Sequence, residues 1–268
     1  MEAPPRFKNL KISNNGTEAT LVLDRPERLN ALSTQMMNEL IVASEWFDKQ
    51  PDLRVVTISG SGKSFCAGFD VDAFIDEEKT SSENGKSSAE IGRLMSDSFE
   101  RMGPISIACL HGNVVGGGVV LAAACDLRVA SKDTVFSIPE VDLGIPLAWG
   151  GIPRLVREIG PTLTKELVMT CRPFNAEEAA NIGFLNKVVN FEDLNETVKN
   201  LSSTIVSKPR IATLATKAHV NAVTSQMVGI TRSWADSDSL DVALRNPESQ
   251  AAQKTYLNNL KNKKLKKK

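Results

Sequence analysis

Apolar and polar positions alternate over residues 7–12 and again over 17–23, on either side of Asn14-Asn15-Gly16. A period of two marks half-buried strands, and an Asn-Gly pair between two such runs predicts a hairpin. Asp24-Arg25-Pro26 ends the second strand, because proline has no N–H to give to a ladder. The period then changes. Met36, Met37, Leu40, Ile41, Ala43, Trp46 and Phe47 recur at helical spacing, and Ser33 stands where an N-cap belongs. Residues 53–59 read as a buried strand, so the chain opens β-β-α-β.

Residues 76–90 are almost wholly polar and predict a mobile loop, followed by a helix over 91–102 that Gly103-Pro104 closes. A strand over 105–110, a turn over 111–118, a short helix over 119–125 and a strand over 127–130 come next. The short helix is apolar on every side, so it must lie inside the domain. Residues 134–138 are again extended, a helix is predicted over 152–158, and 176–182 continue the style. Beyond Val189 the pattern is helical, clearest over 211–223 and 226–243, with Asn246-Pro247 before a last helix over 248–260. No internal repeat is present. The layout is α/β, with a core over residues 1–190 and a helical region, ending in a lysine-rich tail, over 191–268.

Composition narrows the function classes. The chain has 268 residues, 41% hydrophobic and 24% charged, which suits a soluble globular protein. No apolar run approaches a membrane span, and the N-terminal residues show no apolar signal core. Lys266-Lys267-Lys268 match no peroxisomal or retention address. The four cysteines form no CxxC pair and only two histidines could assist them, so neither a metal site nor a disulfide framework is expected. Cytoplasmic, reducing surroundings follow as the expectation. Six of the last eight residues are lysines, which leaves 26 basic against 32 acidic groups over residues 1–260. That acidic body and the scarcity of aromatics argue against nucleic-acid binding. The lysine tail reads as a solvated end.

Two phosphate-binding signatures are approached and missed. Gly60-Ser61-Gly62-Lys63-Ser64 needs a glycine at position 57, which is Thr57, and Gly116-Gly117-Gly118 needs one at position 121, which is Leu121. No GxSxG elbow exists to partner His111 or His219.

What remains is the run from Leu23 to Leu32 (LDRPERLNAL), the turn Phe65-Cys66-Ala67-Gly68-Phe69-Asp70, and the block from Gly116 through Pro139-Glu140 and Trp149-Gly150-Gly151 to Arg154-Leu155. In order and spacing these resemble the crotonase (enoyl-CoA hydratase/isomerase) family over roughly residues 8–260. The resemblance implies a spiral of ββα units with a C-terminal helical region, acyl-CoA thioester substrates without a further cofactor, and homotrimers that can pair into hexamers. It implies that Ala67 and Gly117 supply the two backbone N–H donors of an oxyanion hole and that Glu140 is the acid/base. Gly68, Phe69 and Asp70 continue a turn that meets the CoA portion, Trp149 walls the acyl pocket, and Lys63 could meet phosphates.

The chemistry is coherent on its own terms. Taking a proton beside a thioester builds negative charge on the carbonyl oxygen, which preorganised donors stabilise. Gly117 enters a helix, where N–H groups lack intrahelical partners and share the positive end of the dipole. The resemblance breaks at Val120, where the family's hydratases carry a second glutamate; Ala148 offers no substitute. Adding water is served well by two carboxylates, whereas moving a double bond needs one base that takes a proton and returns it. A Δ3,Δ2-enoyl-CoA isomerase is therefore expected. A hydratase using Asp142, placed beside Glu140 if their segment is extended, and a non-catalytic acyl-CoA binder are the alternatives.

Overall fold

The computed structural model describes residues 3–70, 87–229 and 235–265. The hairpin forms as β1 (Leu10–Asn14) and β2 (Glu18–Leu23), antiparallel with Leu10 opposite Leu23. Gly16 takes φ 103° in the turn, a conformation that suits glycine. Helix α1 (Thr34–Asp48) starts at Ser33, whose hydroxyl accepts from the Met36 N–H at 3.2 Å, and it buries the apolar face read from the sequence. β3 (Val55–Gly60) then runs parallel to β2.

Of the polar loop expected over 76–90, residues 76–86 lie outside the described residues. Its last part is instead the start of a helix: Ser87 caps α2 (Ser88–Arg101), accepting from the Glu90 N–H at 3.2 Å. β4 (Ile105–Leu110) is buried at all six positions, as a central parallel strand covered on both faces must be. β5 (Asn113–Val115), α3 (Gly117–Ala124), β6 (Leu127–Ser131) and β7 (Val135–Ser137) follow. All eight residues of α3 are buried, as its uniform apolarity required.

The helix expected over 152–158 is longer. It becomes α4 (Gly151–Thr170), interrupted at Gly160 (φ 77°, ψ 165°); Pro161 restarts the helix because a first-turn position needs no N–H partner. β8 (Phe174–Asn175), α5 (Ala176–Asn181), β9 (Lys187–Val189) and α6 (Phe191–Val206) lead to α7 (Arg210–Met227), α8 (Asp236–Arg245) and α9 (Pro247–Leu265). The single helix expected over 226–243 does not form: α7 ends where Val228 takes φ −138°, ψ 86°. The lysines at 266–268 lie outside the described residues.

One sheet has the order β1-β2-β3-β4-β6-β9, parallel from β2 onward, and a smaller one has the order β5-β7-β8. The main core joins α1, α2, α3 and α4 to the large sheet. Leu194 and Val198 of α6 cover the opposite face against Val55, Ile107 and Val129. Consequently α3 is held inside the domain with its N-terminus beside the turn at 65–70. The contact leaves no spare volume: a Cβ on Gly118 would lie 2.8 Å from the Cys66 carbonyl oxygen. Gly118→Ala should therefore destabilise the protein by about 1–3 kcal/mol through overpacking. Urea unfolding checks this, and an unchanged midpoint would contradict the packing described.

Candidate active site

Two glycine-marked turns meet at the N-terminus of α3. Gly116 adopts φ 49°, ψ −114°, and its N–H donates to the Ser137 carbonyl at 2.9 Å, which fixes the turn to β7. The Gly116 carbonyl accepts from Val119 and Val120. Among the described residues no group accepts from the Gly117 N–H, so this donor is presented at the positive end of a buried helix. Opposite it runs the turn at 65–70. Gly68 (φ 87°) lets that turn come close: a Cβ there would stand 2.8 Å from the Val115 oxygen and 3.6 Å from the Gly117 nitrogen.

Ala67 does not present its N–H as expected. That group donates to the Leu29 carbonyl at 2.9 Å and ties the turn to the 3-10 segment Pro26–Arg28. Phe69 is placed differently. It forms a parallel bridge with Leu32, in which the Leu32 N–H donates to the Gly68 carbonyl and the Asp70 N–H donates to the Leu32 carbonyl. Strand alternation then turns Phe69's own N–H away from Leu32. Phe69 and Gly117 line one cleft, together with Ser88, Val120, Glu140, Leu240 and the stretch from Ile145 to Trp149. The sequence signal for Phe69 was its place two residues beyond Ala67 in the same turn, which alternation distinguishes only once the bridge to Leu32 is known.

Asp70 is buried and held by two guanidiniums, Arg25 at 2.9 Å and Arg28 at 3.0 Å. Burial pushes its carboxyl up, but hydrogen bonds and attraction from Arg28 and Arg25 outweigh this and hold it below the ordinary range. It fastens the Asp24–Ala31 segment to the turn instead of lining the cleft. Lys63 is exposed, His111 is buried with Nε2 3.1 Å from the Gly62 carbonyl, and His219 is exposed on α7. None of the three lines the cleft.

Glu140 opens a tight turn, in which the Leu143 and Ile145 N–H groups donate to its carbonyl. Its carboxyl presses on Gly116: a Cβ on that glycine would fall 2.3 Å from Glu140 Oε1, so only glycine admits it. The residue is half-buried along its length, but Oε2 is withdrawn from solvent and has no hydrogen-bond partner among the described residues. Burial pushes this carboxyl up to about 7 from an ordinary 4.5, with a backbone hydrogen bond opposing it weakly. Asp142 does not join it. Because the segment is a turn and not extended, Asp142 is exposed. Val120 is buried in the cleft wall, and Ala148 lies there too. Among the described residues Glu140 is the only carboxyl lining the cleft.

Tyr256, the single tyrosine of the chain, lies near enough to Glu140 to feel its charge, which sequence reading passed over. It sits on α9 one turn past Ala252, on the face whose Ser249 packs against Gly144. Burial, then the neighbouring Glu140 and Asp142 carboxylates, push its phenol up, so it stays protonated.

Trp149 (φ 61°) stands in the cleft with its ring edge-to-face on Phe69, centroids 5.8 Å apart. Arg154, fully buried, holds the bend. Nη1 donates to the Trp149 and Gly150 carbonyls at 3.0 and 3.1 Å, and Nη2 donates to Asp97 of α2 at 3.0 Å. Asp236 of α8 accepts from the Gly150 N–H at 2.6 Å.

The raised pKa of Glu140 fixes a pH dependence of stability. Between 4.5 and about 7 the native state binds more protons than the unfolded one, so stability falls as pH rises through that window and levels off above it. At roughly 1.4 kcal/mol per pKa unit the loss is on the order of 3 kcal/mol. Glu140→Gln should therefore melt above the parent at pH 8, with the gap closing toward pH 4.5. Thermal scans across pH check this, and a pH-independent gap would contradict it.

The sequence profile of the enoyl-CoA hydratase/isomerase family matches residues 14–264. The chain is 36% identical over 216 residues to a crotonyl-CoA hydratase of Syntrophomonas wolfei, covering 80% of this chain and 82% of that one. It is 34% identical over 225 residues to a peroxisomal Delta(3,5)-Delta(2,4)-dienoyl-CoA isomerase of Arabidopsis thaliana, covering 79% and 81%. In fold it superposes on the crystal structure of an enoyl-CoA hydratase from Mycobacterium avium subsp. paratuberculosis K-10 with a TM-score of 0.83, at 21% identity, over 93% of this chain and 99% of that one. With the glycine turns, the buried glutamate and these matches together, the chain belongs to the enoyl-CoA hydratase/isomerase family and has its crotonase fold.

Proposed function

We propose that this enzyme is a Δ3,Δ2-enoyl-CoA isomerase. The observation that carries the reading is that Glu140 is the single carboxyl lining the cleft among the described residues, alongside Val120, while Asp142 is exposed. Glu140, ionised, takes a proton from the carbon between the thioester and the double bond of a 3-enoyl-CoA. The electron pair spreads into a dienolate whose charge rests on the thioester oxygen. Gly117 donates its N–H to that oxygen, and Phe69, in place of Ala67, supplies the second N–H from the facing turn. Losing one such donor typically costs about 10²–10³ in rate. Glu140-H then returns the proton to the far carbon of the allyl unit, giving the conjugated 2-enoyl-CoA. The sequence of steps calls on no redox or metal chemistry. A carboxyl that titrates near neutrality suits both halves, being a competent base and a competent acid in turn.

Hydration is the second reading, favoured by the name of the Syntrophomonas relative. It needs a further group to hold and deprotonate water, and neither Val120 nor Ala148 can do so. Incubation with 3-enoyl-CoA and 2-enoyl-CoA separates the two: conjugation of the first supports isomerisation, while water uptake by the second supports hydration. Conversion of neither, with the ester retained, marks a binding protein.

For the isomerisation, Glu140→Gln should lower kcat by about 10²–10⁴-fold with little change in ester binding. In the parent, kcat/KM should rise with pH and level off above about 7, because the free enzyme's base must be ionised. A flat profile, or an active Gln variant, would exclude Glu140 as the base.

The proposed assembly is a homotrimer or a pair of trimers. No residue of α7 is buried, and Val220, Val223 and Met227 are exposed along one side of it, an apolar surface suited to another copy of the chain. Light scattering after gel filtration should give three or six chains; a monomer would contradict this.

A further inference from the structure

We propose that Trp149 limits the length of the acyl group, making this a site for short acyl thioesters of the butyryl and hexanoyl class. The inference rests on the reading that an acyl-CoA binds with its carbonyl oxygen at Gly117. The indole occupies the gap between α2 and α3. On one side, a Cβ built on Gly92 would lie 2.1 Å from Cε2 and 2.3 Å from Nε1; on the other, a Cβ on Gly117 would lie 2.3 Å from Cζ3. Both helices thus present bare backbone to the ring, and a chain entering at Gly117 finds no passage between them. Apart from Ser88 and Glu140, the other described residues of the wall are apolar, among them Val120, Ile145, Leu147 and Ala148, and Leu240 of α8 reaches in from the C-terminal helices. The cleft measures about 410 Å³ with its mouth included. Its enclosed part holds only about 40 Å³, far below the roughly 300 to 1,000 Å³ of sites that take larger small molecules.

The indole is a fixed wall, not a gate. Its main chain sits at φ 61°, and Arg154 holds the Trp149 carbonyl at 3.0 Å while being anchored to Asp97 at 3.0 Å. Asp236 holds the next N–H at 2.6 Å, and Phe69 meets the ring edge-on. The hydrogen bonds fix the main chain that carries the ring, and the ring itself is wedged between Phe69 and the bare backbones at Gly92 and Gly117. Tryptophan can be spared only if the neighbouring glycines tolerate the space it leaves, so its removal should open a channel along α2 where longer chains can lie.

The test is calorimetric titration of the full chain with saturated butyryl-, hexanoyl-, decanoyl- and palmitoyl-CoA. These esters cannot isomerise, so the outcome is independent of turnover. The parent should bind butyryl- and hexanoyl-CoA at least about tenfold more tightly than palmitoyl-CoA, the scale on which apolar pockets discriminate chain increments. Trp149→Ala should erase or reverse that preference. Trp149→Phe, which keeps an aromatic wall of smaller area, should shift the limit toward decanoyl-CoA and serves where the alanine variant does not fold. Equal parent affinity for all four esters, or an unchanged length profile in both variants, would overturn the inference. Failure to bind any ester overturns it together with the acyl-CoA reading. A length preference kept by a protein that does not convert 3-enoyl-CoA sustains the inference and removes only the isomerase assignment.

Discussion

Backbone-to-backbone contact between two glycine turns is the constraint on which this architecture turns. At Gly68, Gly116, Gly117 and Gly118 a single added carbon would fall between 2.3 and 2.8 Å from its neighbour. The neighbours are the Val115 oxygen, the Glu140 carboxyl, the Trp149 ring and the Cys66 oxygen respectively. Each absent side chain therefore admits a different partner, and the four together assemble the cleft. The parallel sheet and α3 exist, in functional terms, to hold that contact inside a dry core where N–H groups and charges act strongly. Burial is the feature that makes the glycines useful.

Burial also sorts the acidic groups into roles. Asp70 and Asp97 are equally deep, but each is matched by arginine, so their charges fasten one piece of chain to another. Such pairs are costly to break and add little when made, which suits positioning. Among the described residues Glu140 has no cation beside it and one oxygen without a partner, so desolvation outweighs the one opposing backbone hydrogen bond and its affinity for a proton rises. An unsatisfied buried oxygen is a liability for stability. Here it is the source of the chemistry, and its cost is confined to a single residue.

Much of this was legible in the sequence because the signals were long or chemically singular. The hairpin, α1, the buried strand at 105–110 and the buried helix after the triple glycine follow from period and composition alone. Glu140, Gly117 and Trp149 are singled out by the resemblance to the family, and all three line one cleft. What escaped was short or non-local. β8 and β9 have two and three residues, too few to show a period. The break after α7 leaves the apolar pattern continuous although the backbone is not. The resemblance points to Ala67, but hydrogen-bond direction decides which N–H faces the cleft, and that direction depends on Leu29 and Leu32, more than thirty residues away. Asp142 was paired with Glu140 on the assumption of a strand, but Pro139 opens a turn. The fixing of the Trp149 bend by Arg154 and Asp236 joins three elements across the chain and has no local signature.

The central claim is that burial against Gly116, with no compensating cation among the described residues, holds one carboxyl near neutrality. The direct measurement is an isotope-edited infrared titration of the Glu140 carboxyl in the folded parent, with the Gln variant subtracted. The account predicts a protonated band that persists well above pH 4.5 and is lost with a midpoint near 7. A midpoint at the ordinary 4.5 would contradict it.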